Sequence, residues 1–190
     1  MRPADRDTQP AGTDIASCTE IESPVGPLLL AADGAGLRRI VFVNGMRAAR
    51  PAIHRGLPHP ASPPEGRSVS PQGQRILTET IRQLRAYFSG ELESFSLPLA
   101  PEGTSFQLEV WRRLCDIPFG ETTSYGELAR LIQRPGASRA VGLANGSNPI
   151  PVVIPCHRVI GSNGKLTGYG GGLPIKEKLL ALERRQLRLL

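Results

Sequence analysis

Cys156 is the residue of this chain best placed to act as a nucleophile, because it stands directly before His157 and Arg158. A thiolate is a soft nucleophile, and a neighbouring imidazole can accept the thiol proton or stabilise the anion. Buried cysteines are more often inert packing residues. The two polar neighbours, the backbone restriction at Pro155 and a helix-turn-helix pattern just upstream favour a reactive thiol here.

The segment that leads to this thiol, residues 149–154, combines apolar β-branched residues with prolines. It is too hydrophobic to lie in water, and its prolines remove backbone donors that an interior strand of a sheet requires. We therefore expect a rigid, buried connector that delivers Cys156 to the floor of a pocket.

The composition limits the class of protein. A chain of 190 residues suits one domain of ordinary size or two small ones. Apolar residues make up 39%, no segment approaches an apolar run of about 18 residues, and no hydrophobic region follows the N-terminal residues. We therefore expect neither a membrane protein nor a secretory signal. The widely spaced Cys18, Cys115 and Cys156 argue against a disulfide framework and fit a reducing cytoplasm.

Positive charge is concentrated in the C-terminal half of the chain. Residues 1–103 contain 11 Lys and Arg and 11 Asp and Glu, whereas residues 104–190 contain 12 and 6, so the whole net charge of +6 lies there. A basic half that also carries the thiol indicates a polyanionic partner, most simply nucleic acid. A basic, solvated face is the alternative interpretation.

Sequence patterning predicts a tail and two domains, with an α+β fold. Residues 1–15 are polar and predict a disordered tail. Residues 16–103 predict a structural domain made of a small antiparallel sheet and one helix. Residues 104–190 predict a mostly helical domain that contains a helix-turn-helix and carries the thiol.

Within the first domain, short apolar runs separated by turns predict an antiparallel meander that ends near Val43. Residues 46–73 contain six prolines and predict a flexible loop. Apolar residues at helical spacing then predict a helix from Gln72 to Ser89, and residues 95–99 predict a short edge strand.

Cys18, His54 and His59 are the candidates for a zinc site in this domain. Two of the three fall in the proline-rich loop, and their spacing matches no familiar set of ligands. We therefore expect no metal.

Two capping boxes organise the second domain. Thr104 and Ser124 are each followed three residues later by Gln or Glu, which predicts a helix start at each position. The first helix carries Cys115, for which we expect a packing role. The second is broken at residues 134–136, and a further helix runs to about Asn145, which completes the helix-turn-helix.

The second helix of this motif is rich in small residues: Ala137, Ala140, Gly142, Ala144 and Gly146. Glycine lowers helix stability, so close helix packing or a functional need must favour it. A slim helix can approach the narrow minor groove of DNA, whereas base reading in the major groove calls for longer polar side chains. The pattern therefore favours sequence-independent binding over a sequence-specific repressor.

Residues 148–161, NPIPVVIPCHRVIG, resemble the active-site sequence of the O6-alkylguanine-DNA alkyltransferases, also called methylated-DNA–protein-cysteine methyltransferases. The resemblance extends from Thr104 to Glu183 and, more loosely, from Ile21 to Leu99. It implies direct repair of double-stranded DNA by irreversible transfer of the alkyl group of O6-alkylguanine, and of O4-alkylthymine, to Cys156. No cofactor is implied, and we expect a cytoplasmic monomer that associates with the nucleoid when bound to DNA.

By this resemblance the catalytic residues are Cys156, His157 and Glu183. Glu183 would orient His157, and a water molecule would link the imidazole to the thiol. The product is a stable thioether that no step reverses, so each molecule would act once.

The same resemblance implies roles around the target base. Arg139 would fill the space left by a flipped nucleotide, and Tyr125 would assist flipping and bind guanine N3. Substrate contacts or support are implied for Asn148, Val159, Tyr169, Gly170 and Lys176, and DNA contacts for Ser138, Ala140 and Gly142. A purely structural role is the alternative for Tyr125 and Lys176.

Two other functions fit parts of the pattern. A Cys-His hydrolase acting on a small substrate would use the same residue pair but would turn over. A non-catalytic protein that binds alkyl lesions would share the fold, but such relatives replace the cysteine, so Cys156 argues against this interpretation. A transcriptional sensor would need an additional domain, for which 190 residues leave no room.

Overall fold

A computed structural model describes residues 17–43 and 70–187 of the chain. Three antiparallel strands in the order β1-β2-β3 form its N-terminal sheet: β1 (Ser17–Ile21), β2 (Leu28–Ala32) and β3 (Leu37–Phe42). The central strand β2 is buried along its whole length because it is covered on both faces. This sheet, followed by a mostly helical half, confirms the predicted α+β fold.

Helix α1 (Pro71–Ser89) covers one face of this sheet with buried apolar residues that include Ile76, Leu77 and Leu84. The Ser70 hydroxyl caps its N-terminus by accepting from Gly73 N, and the left-handed Gly90 ends it. The helix therefore begins one residue before the predicted Gln72, and residues 71–73 of the predicted loop are helical.

The edge strand predicted for the N-terminal half does not form. Residues 95–99 form only one isolated bridge, between Leu37 and Leu99, and no edge strand. The predicted tail at residues 1–15, His54, His59 and the remainder of the proline-rich loop lie outside the described residues.

The helices of the C-terminal half are α2 (Ser105–Leu114), α3 (Tyr125–Leu131), α4 (Ser138–Gly146) and α5 (Leu173–Leu187). Both predicted capping boxes are present, at Thr104 and Ser124. Helices α3 and α4 form the helix-turn-helix, and Trp111 of α2 donates from Nε1 to Ala144 O at 2.8 Å. That hydrogen bond ties α4 to α2 beneath it.

A short parallel pair of strands joins the helix-turn-helix to the region of the thiol. Strand β4 (Thr123–Ser124) pairs with β5 (Val159–Ile160), which follows Cys156 in the chain. The N-terminus of α3 is thereby fixed beside the thiol.

The two halves share one hydrophobic core, which includes Leu30 of the sheet, Leu114 of α2 and Ile154 of the connector. A backbone hydrogen bond from Ile40 N to Pro149 O, at 2.9 Å, links β3 to the connector. Within residues 17–43 and 70–187, no helix is long and apolar enough to span a bilayer.

Gly90 gives a test of the α1 terminus. Its φ of 89° is in the left-handed region, which a side chain disfavours. We expect Gly90→Ala to lower the free energy of unfolding by about 1 kcal/mol, measured by urea denaturation. Gly146→Ala is the matched control, since Gly146 is helical with nothing within 4 Å of an added Cβ; it should not destabilise. Equal losses in both variants would contradict this assignment of the C-cap.

Candidate active site

Cys156 begins a 3-10 turn, Cys156–Arg158, at the end of a connector that is buried from Ile150 onward. The thiol residue is 4% exposed, as the apolar residues before it predict. The connector is a tight turn, in which Ile154 N donates to Ile150 O at 2.9 Å. This confirms a buried connector that is not an interior strand.

Asn148 holds the connector in this shape. Its Nδ2 donates to Ile154 O at 2.8 Å, and its Oδ1 accepts from Ile150 N at 3.0 Å. Between these contacts Val152 has φ of 76°, a conformation that β-branched residues rarely adopt. The side chain of Asn148 and burial of Val152 together maintain a backbone that local preferences oppose.

A cavity of about 200 Å³ lies against Cys156. Its walls come from β3, the end of α4, the connector and the loop before α5, and they include Arg39, Phe42, Asn148, Pro151, Tyr169 and Gly170. Phe42 and Tyr169 have ring centroids 5.7 Å apart. The N-terminal half therefore forms part of the pocket, which sequence reasoning did not predict.

Glu183 of α5 is the acceptor of a buried polar cluster. Its Oε1 lies 2.8 Å from His157 Nε2, and the Tyr87 hydroxyl donates to the same oxygen at 2.8 Å. Arg158 donates to both carboxylate oxygens at 2.9–3.3 Å, and Gly120 N donates to Oε2 at 3.0 Å. The predicted proximity of His157 and Glu183 is therefore present in the structure.

This cluster fixes the charge and tautomer of its members. Burial alone raises the pKa of Glu183, but the hydrogen bonds from His157 and Arg158 dominate and lower it to about 2. Burial lowers the pKa of His157 despite the nearby carboxylate. Neutral His157 with its proton on Nε2 donates to Glu183, so Nδ1 is the acceptor nitrogen, and it has no hydrogen-bond partner among the described residues.

The thiol itself is protonated at neutral pH. Burial raises the pKa of Cys156 to about 11, although a hydrogen bond from Asn148 and the charge of Lys176 lower it in part. A buried thiol of this kind needs a base before it can attack. His157, whose Nδ1 is an acceptor in the neutral ring, is the adjacent group that can take the proton.

Lys176 is fully buried, which is rare for lysine unless its ammonium group is hydrogen-bonded. Its Nζ donates to Val159 O at 2.6 Å and to Thr167 O at 3.1 Å. Lys176 therefore connects β5 with the loop that contains Thr167 and Tyr169.

Tyr125 lies at the start of α3, where its hydroxyl accepts from Thr167 Oγ1 at 2.9 Å. A Cβ added at Gly142 of α4 would lie 3.7 Å from the Tyr125 ring, an ordinary van der Waals distance, so the packing of the two helices does not require glycine there. An added Cβ at Gly170 would have nothing within 4 Å. The hydrogen bond with Thr167 places Tyr125 beside the loop that contains Tyr169 and Gly170.

The outer face of α4 displays the predicted DNA contacts Ser138, Arg139 and Ala140, all exposed, whereas Gly142 is partly buried. Leu143 is 76% exposed on the same helix, one turn after Arg139. The helix is therefore not slim along its whole length. Sequence reasoning overlooked this exposed leucine.

Cys115, for which a packing role is predicted, is the C-cap residue of α2. The residue is exposed, although its Sγ is partly buried and donates to Trp111 O at 3.5 Å. Cys18 is partly buried, and burial raises its pKa to about 11. Across residues 17–43 and 70–187, no three His, Cys, Asp or Glu residues lie close enough to hold a metal ion.

Sequence reasoning missed three contacts of Glu183, those with Tyr87, Gly120 and Arg158. A partner for Arg158 could have been expected, since a charged residue within an apolar buried segment must be paired. The contact with Tyr87 could not, because Tyr87 lies 96 positions from Glu183 in the chain.

Comparison with known proteins identifies matches along nearly the whole described chain. Residues 17–101 match the family model of the 6-O-methylguanine DNA methyltransferase ribonuclease-like domain, and residues 105–185 match the DNA binding domain of the same family. A methylated-DNA–protein-cysteine methyltransferase of Methanosarcina barkeri is 53% identical, over 88% of this chain and 97% of that protein. The Mycobacterium tuberculosis protein of the same name is 46% identical, over 86% and 90% of the two chains.

Solved structures agree with these sequence matches. The crystal structure of Mycobacterium tuberculosis O6-methylguanine methyltransferase superposes with a TM-score of 0.75 at 44% identity, covering 92% of this chain and 99% of the other. A structure of the Mycobacterium tuberculosis protein OGT in complex with DNA gives a TM-score of 0.71 at 45% identity, covering 88% and 92%.

The acid sensitivity of the protein tests the Glu183 cluster. The pKa of Glu183 is depressed from an ordinary 4.5 to about 2, so its contribution to stability is complete above pH 4.5 and is lost as the pH falls toward 2. We expect Glu183→Gln to lower the free energy of unfolding at neutral pH by about 3 kcal/mol. The variant should also lose less stability than the unmodified protein as the pH falls from 4.5 toward 2.

Urea denaturation across this pH range is the measurement. Glu79→Gln is the matched control, because Glu79 pairs with Arg82 on the exposed surface, where ion pairs contribute little. If both variants had the same small effect, the buried cluster would not hold an ionised carboxylate.

Proposed function

The chain belongs to the 6-O-methylguanine DNA methyltransferase family, and we propose that it repairs DNA by moving the alkyl group of O6-alkylguanine onto Cys156. The observation that carries this proposal is the buried His157–Glu183 pair, with 2.8 Å between Nε2 and Oε1, beside a buried thiol. This pair supplies a neutral imidazole next to the nucleophile. O4-alkylthymine, which presents an alkyl group on a similar oxygen, is the second substrate we propose.

The proposed reaction moves one proton and one alkyl group. The Cys156 proton passes through a water molecule to His157 Nδ1, and the thiolate attacks the alkyl carbon. The carbon–sulfur bond forms while the carbon–oxygen bond breaks, and its electron pair goes to guanine, which takes up a proton. The thiol loses one proton and guanine gains one, so the reaction balances without a cofactor.

The substrate contacts in this proposal are those that the family resemblance implies, and of these Cys156, Tyr169 and Gly170 line the cavity. The carbonyls of Cys156 and Val159 accept from the exocyclic amine of guanine, and the Gly170 amide donates to O6. The Tyr125 hydroxyl binds guanine N3, and Tyr169 packs against the base. Asn148 and Lys176 act through support, since they hold the connector and the loop in place.

The proposed DNA partner is a duplex, which α4 approaches through the minor groove. A target base inside a duplex must be flipped out at a cost of a few kcal/mol. Arg139 is exposed at the start of α4, where it can enter the space left by that base. Ser138, Ala140 and Gly142 allow close approach to the backbone, and the basic C-terminal half supports binding to phosphates.

We further propose that the protein acts as a monomer, once per molecule, in the reducing cytoplasm at the nucleoid. A thioether is stable to hydrolysis, so no step of the proposed reaction releases the alkyl group from Cys156. A Cys-His hydrolase, in contrast, would release its product and turn over.

Cys156→Ser tests the nucleophile. We expect it to abolish alkyl transfer while DNA affinity stays within a few-fold, because phosphate contacts and not the thiol hold the DNA. Intact-mass analysis after incubation with O6-methylguanine duplex should show one added CH2 per molecule in the unmodified protein and none in the variant. Cys115→Ser should behave like the unmodified protein. An adduct in the Cys156 variant, or multiple turnover, would contradict the proposed function.

Arg139→Ala tests base flipping. We expect the rate of repair in duplex DNA to fall by about 100-fold, because the vacated space is left unfilled. Reaction with free O6-benzylguanine, which needs no flipping, should change by less than about threefold. Single-turnover rates on both substrates are the measurement. Equal losses on the two substrates would show that Arg139 acts through folding instead.

A further inference from the structure

The Tyr87 hydroxyl and His157 Nε2 contact the same oxygen of Glu183. Both lie 2.8 Å from Oε1, and the three residues are all fully buried. An oxygen that accepts from a second strong donor shares its charge between two hydrogen bonds. Tyr87 therefore influences both where this carboxylate points and how strongly it holds the imidazole.

The phenol of Tyr87 is fixed in place. Its ring lies 5.3 Å from the rings of Phe88 and Phe95 and 6.0 Å from that of Phe119, centroid to centroid. Burial raises the pKa of Tyr87, so the hydroxyl stays protonated and acts as a permanent donor. This donor comes from α1 of the N-terminal half, far in sequence from the thiol.

We propose that Tyr87 is a positioning residue for alkyl transfer, which fixes Glu183 Oε1 toward His157 and limits the basicity that the carboxylate imparts to the imidazole. The inference rests on the proposed function and deepens it. It also gives α1 of the N-terminal half a part in the reaction.

Arg158 does not replace this contact. Its guanidinium holds both carboxylate oxygens and donates to Ile117 O at 2.6 Å, so with His157 it keeps Glu183 ionised. Tyr87 adds a hydrogen bond from a neutral donor to the carboxylate, and this bond can be deleted while Arg158 still balances the charge of Glu183. The ring of Phe119 contacts both, since the Arg158 guanidinium lies 5.7 Å from its centroid.

The pH dependence of the reaction reports on this contact. The charged or titratable groups around His157 are Glu183 and Lys176 of α5, Arg158 and Cys156 of its own segment, Tyr169 of the preceding loop, and Tyr87 acting through Glu183. His157 must be neutral to accept the thiol proton, so the rate falls on the acid side of its pKa. Without the Tyr87 hydroxyl, Glu183 holds the protonated imidazole more strongly, and that pKa rises.

Tyr87→Phe is the test, because phenylalanine keeps the ring contacts and removes only the hydroxyl. Single-turnover rates would be measured from about pH 5 to 9 with free O6-benzylguanine and with O6-methylguanine duplex. We expect the plateau rate to fall on the order of tenfold on both substrates. The acid limb of the profile should move to higher pH.

Thr80→Val is the matched control. Thr80 is fully buried on the same helix, and its hydroxyl donates only to Ile76 O at 2.7 Å. Both variants lose one buried hydroxyl, and both would be ranked by thermal unfolding. The control should keep the rate and the acid limb of the unmodified protein, whatever its change in stability.

The outcomes separate the two levels of inference. If the unmodified protein forms no adduct at Cys156, the proposed function fails. If it forms the adduct but Tyr87→Phe reacts at the same rate with the same acid limb, the positioning role is overturned. A rate loss that Thr80→Val shares, with no shift in the acid limb of either, also overturns it, because stability alone would explain the loss.

Discussion

The pairing of Glu183 with Arg158 is the interaction on which the site depends. Taking either charge out of water alone would cost several kcal/mol, so neither residue can be buried without the other. Once paired, the carboxylate has capacity for the His157, Tyr87 and Gly120 donors, and it takes part in six hydrogen bonds in all. Burial is the main reason that the pKa of His157 is lowered, and the positive charge of Arg158 acts in the same direction. The ion pair therefore permits burial of the carboxylate and also helps to keep the imidazole neutral.

A second constraint acts on the backbone. The connector reaches Cys156 through Val152, whose φ of 76° costs on the order of 1–3 kcal/mol. Asn148, with two hydrogen bonds to the connector, and a shell of buried side chains oppose that cost. Because the thiol is held by a turn that would not form alone, its place depends on packing contributed by both halves of the chain. The Ile40–Pro149 hydrogen bond shows how directly the sheet supports this turn.

Local patterns were sufficient to predict most of the helices and strands and the buried position of Cys156. The capping boxes at Thr104 and Ser124 are encoded within a few residues, and the structure has both. Cys156 and His157 are neighbours in the sequence, so their proximity could be predicted without knowledge of the fold. The contacts that sequence reasoning missed join distant positions: Tyr87 to Glu183, and β3 to the cavity wall. Such contacts leave no periodic pattern in the sequence, because they arise only when the sheet packs on the helical half. The exposure of single residues, such as Cys115 and Leu143, was not predicted for the same reason, since exposure at a helix end is decided by its neighbours.

The continuous core has a consequence for how the protein unfolds. Side chains of the sheet, α2 and the connector pack in one cluster, so detaching either half would expose apolar surface on both. Such a molecule should lose its two halves in a single cooperative transition, and amides of β2 and of the connector should exchange their hydrogens through the same global opening. The boundary near residue 103 is then a boundary in sequence but not in folding. Grafting the N-terminal half of another relative onto residues 104–190 would succeed only where that half also supplied the buried phenol and the strand edge that this site uses.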